Sequence, residues 1–334
     1  MKITSFKTTS LAAGMSRLCI EADDGAAGNW IIASALQSVA EKLADAALIG
    51  QEPRSTTSLW HDMLDRAGND LQARAAAAAL DVALWDLNST RDNEPLWKKI
   101  GGSQKPANAH LSITERASGA TQSDDVFFQQ AAPFGFREGK VSACLTSKSL
   151  PDRIGKLFSA LDASAQPPSL YIGAQGRCAP KDAIAAISKL EQLFDITAIE
   201  APCPTWDISG TKKVSENIKA AVFNDLSIFG REGLLSHFRR RSLDIVQLSV
   251  LKDGVTGVLE LADAAFGYEL PILIASSPGN IGAHFAGALP YFMSLEIRDL
   301  PSKQTAPSAV TISNGWAQPG DAPGLGINWA QPSA

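Results

Sequence analysis

The sequence predicts an α/β chain, a TIM-like barrel preceded by a smaller α+β domain, and three observations carry that prediction. The chain has 334 residues, more than one hydrophobic core usually serves. Beyond residue 108, short β-branched or apolar segments alternate with helical stretches of about 10 to 15 residues, the pattern of repeated βα units. The first hundred or so residues lack that alternation and read as strands followed by helices.

Residues 1–32 read as two or three strands, with Asp23-Asp24-Gly25 as a hairpin turn between apolar runs. Apolar residues then recur at helical spacing over 33–49 and again over 57–88, where the alanine-rich stretch Ala73 to Leu87 allows close helix packing. This unit ends near Gly101-Gly102. Eight strand segments follow: 108–113, 140–144, 170–173, 198–201, 221–224, 244–248, 271–275 and 292–297. They fit a compact barrel with short loops. An open doubly wound sheet is the rival, but no G-x-G-x-x-G follows a strand and no G-x-x-x-x-G-K-[ST] occurs. Residues 301–334 are rich in Pro, Gly, Ser and Gln, yet Val310 to Trp316 alternates and turns like a hairpin, expected to fold back on the first domain.

With 45% hydrophobic and 19% charged residues, the composition is that of an ordinary globular protein. A net charge of -5 and a pI near 5.5 argue against nucleic acid and against an anionic membrane surface. No run of about 18 apolar residues is present and the Met1 to Thr4 start lacks a signal-peptide core, so a cytoplasmic protein is expected. The cysteines Cys19, Cys144, Cys178 and Cys203 show no C-x-x-C spacing and read as reduced thiols. Three of them fall just after strands two, three and four, where they could gather around a soft metal; small buried hydrophobes are the plainer reading. Arg239-Arg240-Arg241 closes a predicted helix, where cations complement the dipole and face solvent.

Several segments follow one another in a telling order: Ala77 to Leu87 followed by Pro95-Leu96-Trp97 and Ile100-Gly101-Gly102; Gly135-Phe136-Arg137 before Lys140; Ile199-Glu200-Ala201-Pro202; Asp244 to Gln247; and Pro323 to Ile327. In that order they resemble the enolase superfamily of the mandelate racemase and muconate lactonizing type. The resemblance spans nearly the whole chain. It implies a modified (β/α)7β barrel over 108–300, and a capping domain made of 1–107 and completed by 301–334. It also implies removal of a proton α to a carboxylate by a Lys or His base, with Mg²⁺ holding the enolate.

Against that pattern many positions differ. Where the second strand usually ends in K-x-K, Lys140 remains and Ser142 replaces the usual base. The third strand's D-x-N is Gly173-Ala174-Gln175, without its metal-binding Asp. Glu200 remains on the fourth strand and is expected to pair with Lys140 across the mouth. On the fifth, Leu226 takes the usual acidic position, and Asp225 would need a one-residue slip to face inward. Ser249 replaces the base or its orienting Asp on the sixth strand, and Lys252 matches a commonly basic position expected to be ion-paired. After the seventh, Ser276 lies where racemases place a histidine; on the eighth, Glu296 matches an acid that contacts substrate. Among the histidines only His110 could approach the mouth, with a core or rim role expected.

Glu200 and Asp225 are thus the candidate metal ligands of an incomplete site, since Mg²⁺ wants octahedral oxygen and usually takes one or two carboxylates. Two functions follow. The first is a non-catalytic descendant needing no cofactor, whose mouth, lined by Ser142, Gln175, Ser249, Lys252 and Ser276, binds a small polar ligand or organic acid. The second is a Mg²⁺-dependent racemase, epimerase or acid-sugar dehydratase that moves protons with Lys140 and Glu296. A symmetric homo-oligomer is expected in either case.

Overall fold

The chain begins with three antiparallel strands, β1 (Ile3–Ser10), β2 (Met15–Ala22) and β3 (Ala27–Ala33). The computed structural model describes all residues except 12–13, 114–123, 162–166, 226–229, 299, 301–307 and 330–334. The turn from β2 to β3 is the expected one: Gly25 takes φ +84°, and Asp24 Oδ1 accepts the Ala26 N–H at 3.1 Å.

Helices α1 (Gln37–Ala47), α2 (Thr56–Ala67) and α3 (Leu71–Arg91) cover the sheet, followed by the single turn α4 (Leu96–Lys99). The helical spacing over 57–88 is divided between two helices. Gly68 takes φ +53° and ends α2, while the Asp70 carboxylate caps α3 by accepting the Gln72 and Ala73 N–H groups at 2.8 and 3.2 Å. Capping decides the boundary because apolar spacing barely changes across it.

The alanines of α3 let it lie directly on β3. A Cβ at Gly28 would sit 2.0 Å from the Ala83 carbonyl oxygen. Gly28→Ala is therefore expected to cost about 3 kcal/mol through overpacking against backbone, seen as a lower urea midpoint with an unchanged slope.

The barrel strands are β4 (Ala107–Ile113), β5 (Glu138–Ser142), β6 (Ser169–Gly173), β7 (Ala198–Glu200), β8 (Ala221–Asp225), β9 (Ile245–Leu248), β10 (Ile272–Ile274) and β11 (Phe292–Ile297). Each overlaps one of the segments expected from sequence. Neighbours in this order pair in parallel, and β11 closes on β4 through Leu295↔Ala109, Glu296↔His110 and Ile297↔Leu111, which excludes the open-sheet rival. Between them run α5 (Asp124–Ala131), α6 (Leu150–Ala160), α7 (Pro180–Leu190), α8 (Ile208–Ser215), α9 (Gly230–Arg240) and α10 (Val250–Phe266), with a 3-10 segment, Pro278–Phe285, between β10 and β11. Seven helical connections serve eight strands: a modified (β/α)7β barrel with an antiparallel sheet as its cap.

The expected hairpin is present as β12 (Thr311–Ser313) and β13 (Trp316–Gln318), with Asn314 and Gly315 both at positive φ in the turn. It docks elsewhere than expected. β13 pairs antiparallel with the start of β4 through Trp316↔Asn108 and Ala317↔Ala107, because β4 meets β11 only from Ala109 and β5 only from His110. The hairpin satisfies backbone groups that barrel closure leaves open. The stretch after it reaches the N-terminal helices: Leu96 N–H donates to the Gly324 carbonyl and Leu325 N–H to Asp86 Oδ1, each at 2.8 Å.

Inside the barrel, Tyr171, Ala198, Phe223, Ile245 and Leu273 form an apolar plug, with Tyr171 and Phe223 edge to face at 6.4 Å. Below it, Tyr171 donates its hydroxyl to Glu138, and buried His110 shares a 3.0 Å hydrogen bond with Ser294. Burial holds the His110 imidazole down to about 3, so it is neutral and a core residue. Among the described residues, no helix is long and apolar enough to cross a membrane.

Candidate functional site

The plug fixes which side chains reach the barrel's C-terminal mouth, since strand side chains repeat every two residues. One step above Phe223 stands Asp225, above Ala198 stands Glu200, and above Tyr171 stands Gly173. Asp225 therefore faces inward without any slip, contrary to the sequence expectation; Leu226 and Ser227 lie outside the described residues. Lys140 and Ser142 enter from β5, Ser112 from β4 and Glu296 from β11.

At the centre is Lys140. Its side chain is fully buried, and its ammonium lies 2.9 Å from Glu200 Oε2 and 2.6 Å from Glu296 Oε1. The expected pairing with Glu200 is thus joined by a second carboxylate. Glu296 is itself buried and well served: Oε1 accepts from Ser112 Oγ at 2.7 Å and from the Arg298 guanidinium at 3.0 Å, and Oε2 accepts the Ser276 N–H at 3.2 Å. Burial alone would lower the Lys140 pKa, but Glu200 and Glu296 outweigh it and raise the value, keeping the proton on nitrogen. Burial alone would likewise raise that of Glu296, yet Lys140 and Arg298 hold the carboxyl well below its ordinary range. A second pair closes the mouth, Lys252 Nζ to Asp225 Oδ2 at 2.5 Å.

The other predicted residues surround this centre. Ser142 is buried, and a Cβ added at Gly173 would meet its Oγ at 2.3 Å and Glu200 Oε2 at 3.3 Å. With the Ser142 hydroxyl in this place, position 173 has no room for a side chain. Gln175, half-buried with φ +64°, turns the chain after β6. Ser249 is buried at the N-cap of α10, its N–H donating to Asp253 Oδ2 at 3.0 Å. Ser276 contributes backbone rather than hydroxyl to Glu296. Arg298 and Ser112 were not anticipated as partners; the signal available was spacing, each lying two residues beyond an inward residue, Glu296 and His110.

Among the described residues, no group of three His, Cys, Asp or Glu could hold a metal, so the three thiols do not form a soft-metal centre. A magnesium ion asks for less, one or two carboxylates completed by water or substrate oxygen. Glu200 and Asp225, inward on neighbouring strands, fit that donor set, and each already binds a cation through one oxygen, the ammonium of Lys140 or Lys252.

Two family models match the chain: "Enolase C-terminal domain-like" over residues 131–333, and "Mandelate racemase / muconate lactonizing enzyme, N-terminal domain" over residues 8–101. An L-Ala-D/L-Glu epimerase from Clostridium acetobutylicum is 24% identical over 262 residues, 76% of this chain and 72% of the relative. An arabinonate dehydratase from Saccharolobus solfataricus is 25% identical over 326 residues, 92% of this chain and 86% of the relative. Among solved structures, an enolase from Bradyrhizobium complexed with magnesium and mandelic acid shares the fold with a TM-score of 0.80 and 22% identity, covering 98% of this chain and 93% of that one.

Proposed function

The chain belongs to the enolase superfamily, of the mandelate racemase and muconate lactonizing type, and from that premise we propose that it is a racemase, epimerase or dehydratase moving a proton α to the carboxylate of a small organic acid. One observation carries the reading: a fully buried lysine stands at the barrel mouth between two glutamates, where side chains from several strands converge. That one relative is an epimerase and another a dehydratase supports the reaction class.

The side chains divide the work. As an ammonium, Lys140 is a proton donor. It becomes a base only when its carboxylate support weakens, and Glu200, the more exposed partner at 18% against 1% for Glu296, is the one free to engage another cation. Glu200 and Asp225 would hold magnesium, which supplies charge stabilisation for the carboxylate losing its α-proton. Glu296, fixed by Ser112, Arg298 and the Ser276 N–H, keeps Lys140 pointed at the mouth throughout.

One observation supports a second reading, a protein that binds the acid without turning it over: beside Ser142, position 173 has no room for a side chain that could add a third carboxylate. Incubation with Mg²⁺ and a panel of 2-hydroxy acids, acid sugars and dipeptides in D₂O, followed by proton NMR, separates the two. Loss of the α-proton signal from one panel member is expected, falling about 10²- to 10⁴-fold in Lys140→Met. Thermal stabilisation by a panel member with no exchange under any condition would instead establish the binding protein.

A further inference from the structure

Beside the two carboxylates of the mouth, the sixth barrel strand holds a further oxygen that the fold itself leaves unused. Gln247 lies on β9, one inward step above Ile245 of the apolar plug. Its backbone partners are Asp225 on β8 and Leu273 on β10, and Leu273 also belongs to the plug, so the glutamine side chain points into the barrel. Neighbouring strands lie about 4.8 Å apart, which sets the Asp225 and Gln247 side chains next to each other on one face. Glu200 follows on β7, inward above Ala198. Three consecutive strands thus bring a carboxylate, a carboxylate and an amide to the same mouth.

Gln247 is 2% exposed, yet its Oε1 accepts no hydrogen bond among the described residues. A buried carbonyl oxygen without a donor is a cost to the folded chain. Leucine has nearly the same shape and would avoid that cost, so packing does not explain the amide. A hydrogen-bond donor could satisfy the amide oxygen alone. A divalent cation satisfies it together with its two acidic neighbours, since carboxylate and carbonyl oxygens are the ligands such ions take.

We propose that Gln247 is the third protein ligand of a divalent cation held by Glu200 and Asp225, in a site that spans β7, β8 and β9. The proposal rests on the reading of those two carboxylates as magnesium ligands. On the other side of Glu200, β6 contributes only Gly173, where no side chain fits beside Ser142. The ligand set is therefore displaced one strand around the ring. Its third member also differs in charge. Lys140 and Lys252 neutralise Glu200 and Asp225 when no ion is bound, but a third carboxylate at the buried position 247 would need a cation of its own. The amide adds an oxygen to the ion and leaves no buried charge without it.

The chain stripped with EDTA and titrated calorimetrically with Mg²⁺ is expected to bind one ion. Gln247→Leu should weaken that binding by at least about 10-fold, the lower end of what residues supporting a metal ligand contribute. In EDTA the same variant is expected to unfold at no lower urea concentration than the parent, which separates a lost ligand from a damaged fold. Gln247→Glu should do the reverse, binding Mg²⁺ more tightly and unfolding earlier in EDTA. Parental Mg²⁺ affinity in Gln247→Leu, with binding lost in Glu200→Gln and Asp225→Asn, would overturn the glutamine as a ligand and leave the two-carboxylate reading standing. Mg²⁺ affinity in Gln247→Glu no higher than the parent's would overturn it equally. No binding by the unaltered chain would remove both readings together.

Discussion

Replacing Lys140 by methionine is expected to lower the unfolding free energy by about 3–5 kcal/mol, because it leaves a buried carboxylate without its cation. Glu296 is 1% exposed and, among the described residues, would keep only Arg298 as a charged partner, a side chain 44% exposed and so partly screened. Glu200 can turn toward water; Glu296 cannot. The loss should therefore be largely recovered when Glu296 is neutralised as well. In a double-mutant cycle read by urea denaturation, Lys140→Met with Glu296→Gln is expected to cost clearly less than the two single changes summed. A single-mutant cost below about 1 kcal/mol, the usual range of exposed ion pairs, would mean that the triad is not closed in solution.

How much of this centre the sequence disclosed depends on distance along the chain. The eight barrel strands were legible because buried parallel strands are short apolar runs set off by turn residues, and each expected segment overlaps an observed strand. The Lys140–Glu200 pair was legible because both residues stand at strand ends that the resemblance aligns. Glu296 was visible as a candidate but not as the second partner of Lys140, since β11 meets the first strands only through closure of the ring. The inward face of Asp225 was missed because its parity is set by Phe223 packing into the plug, a contact among five strands that local alternation does not encode. The docking of the β12–β13 hairpin was missed for the same kind of reason: open backbone groups at Ala107 and Asn108 exist only once the barrel has closed.

Asp81 of α3 ties the cap to the barrel helix α10, and the effect of its substitution is expected to depend on pH. The carboxylate is fully buried where α10 kinks at Gly254, φ +64°. Oδ2 accepts the Val255 and Thr256 N–H groups at 2.7 and 2.8 Å, Oδ1 accepts the Thr256 hydroxyl at 2.6 Å, and that hydroxyl oxygen in turn accepts from Trp85 Nε1 at 2.9 Å. Asp81→Ala would strand these donors and is expected to cost about 3 kcal/mol below pH 4, and less as pH rises. Burial, opposed by the hydrogen bonds from Thr256 and Val255, pushes the carboxyl up to about 7 from 3.8. A carboxyl whose folded pKa is raised binds its proton more tightly in the folded chain, so its contribution falls as pH rises from about 4 to about 7, by as much as about 1.4 kcal/mol per pH unit. His110 and His284, buried and held down to about 3 and 4, act in the opposite sense over part of that range and flatten the profile of the unaltered protein. The difference between variants isolates Asp81. Asparagine matches the protonated acid, its oxygen accepting the two backbone N–H groups and its amide donating to the second lone pair of the Thr256 hydroxyl. Asp81→Asn is therefore expected to be nearly neutral at pH 5 and stabilising by about 1–2 kcal/mol at pH 8, compared by urea midpoints at the two values. A destabilisation that grows toward pH 8 would show that the folded chain holds Asp81 as the anion, with the helix N-terminus of Val255 and Thr256 outweighing burial.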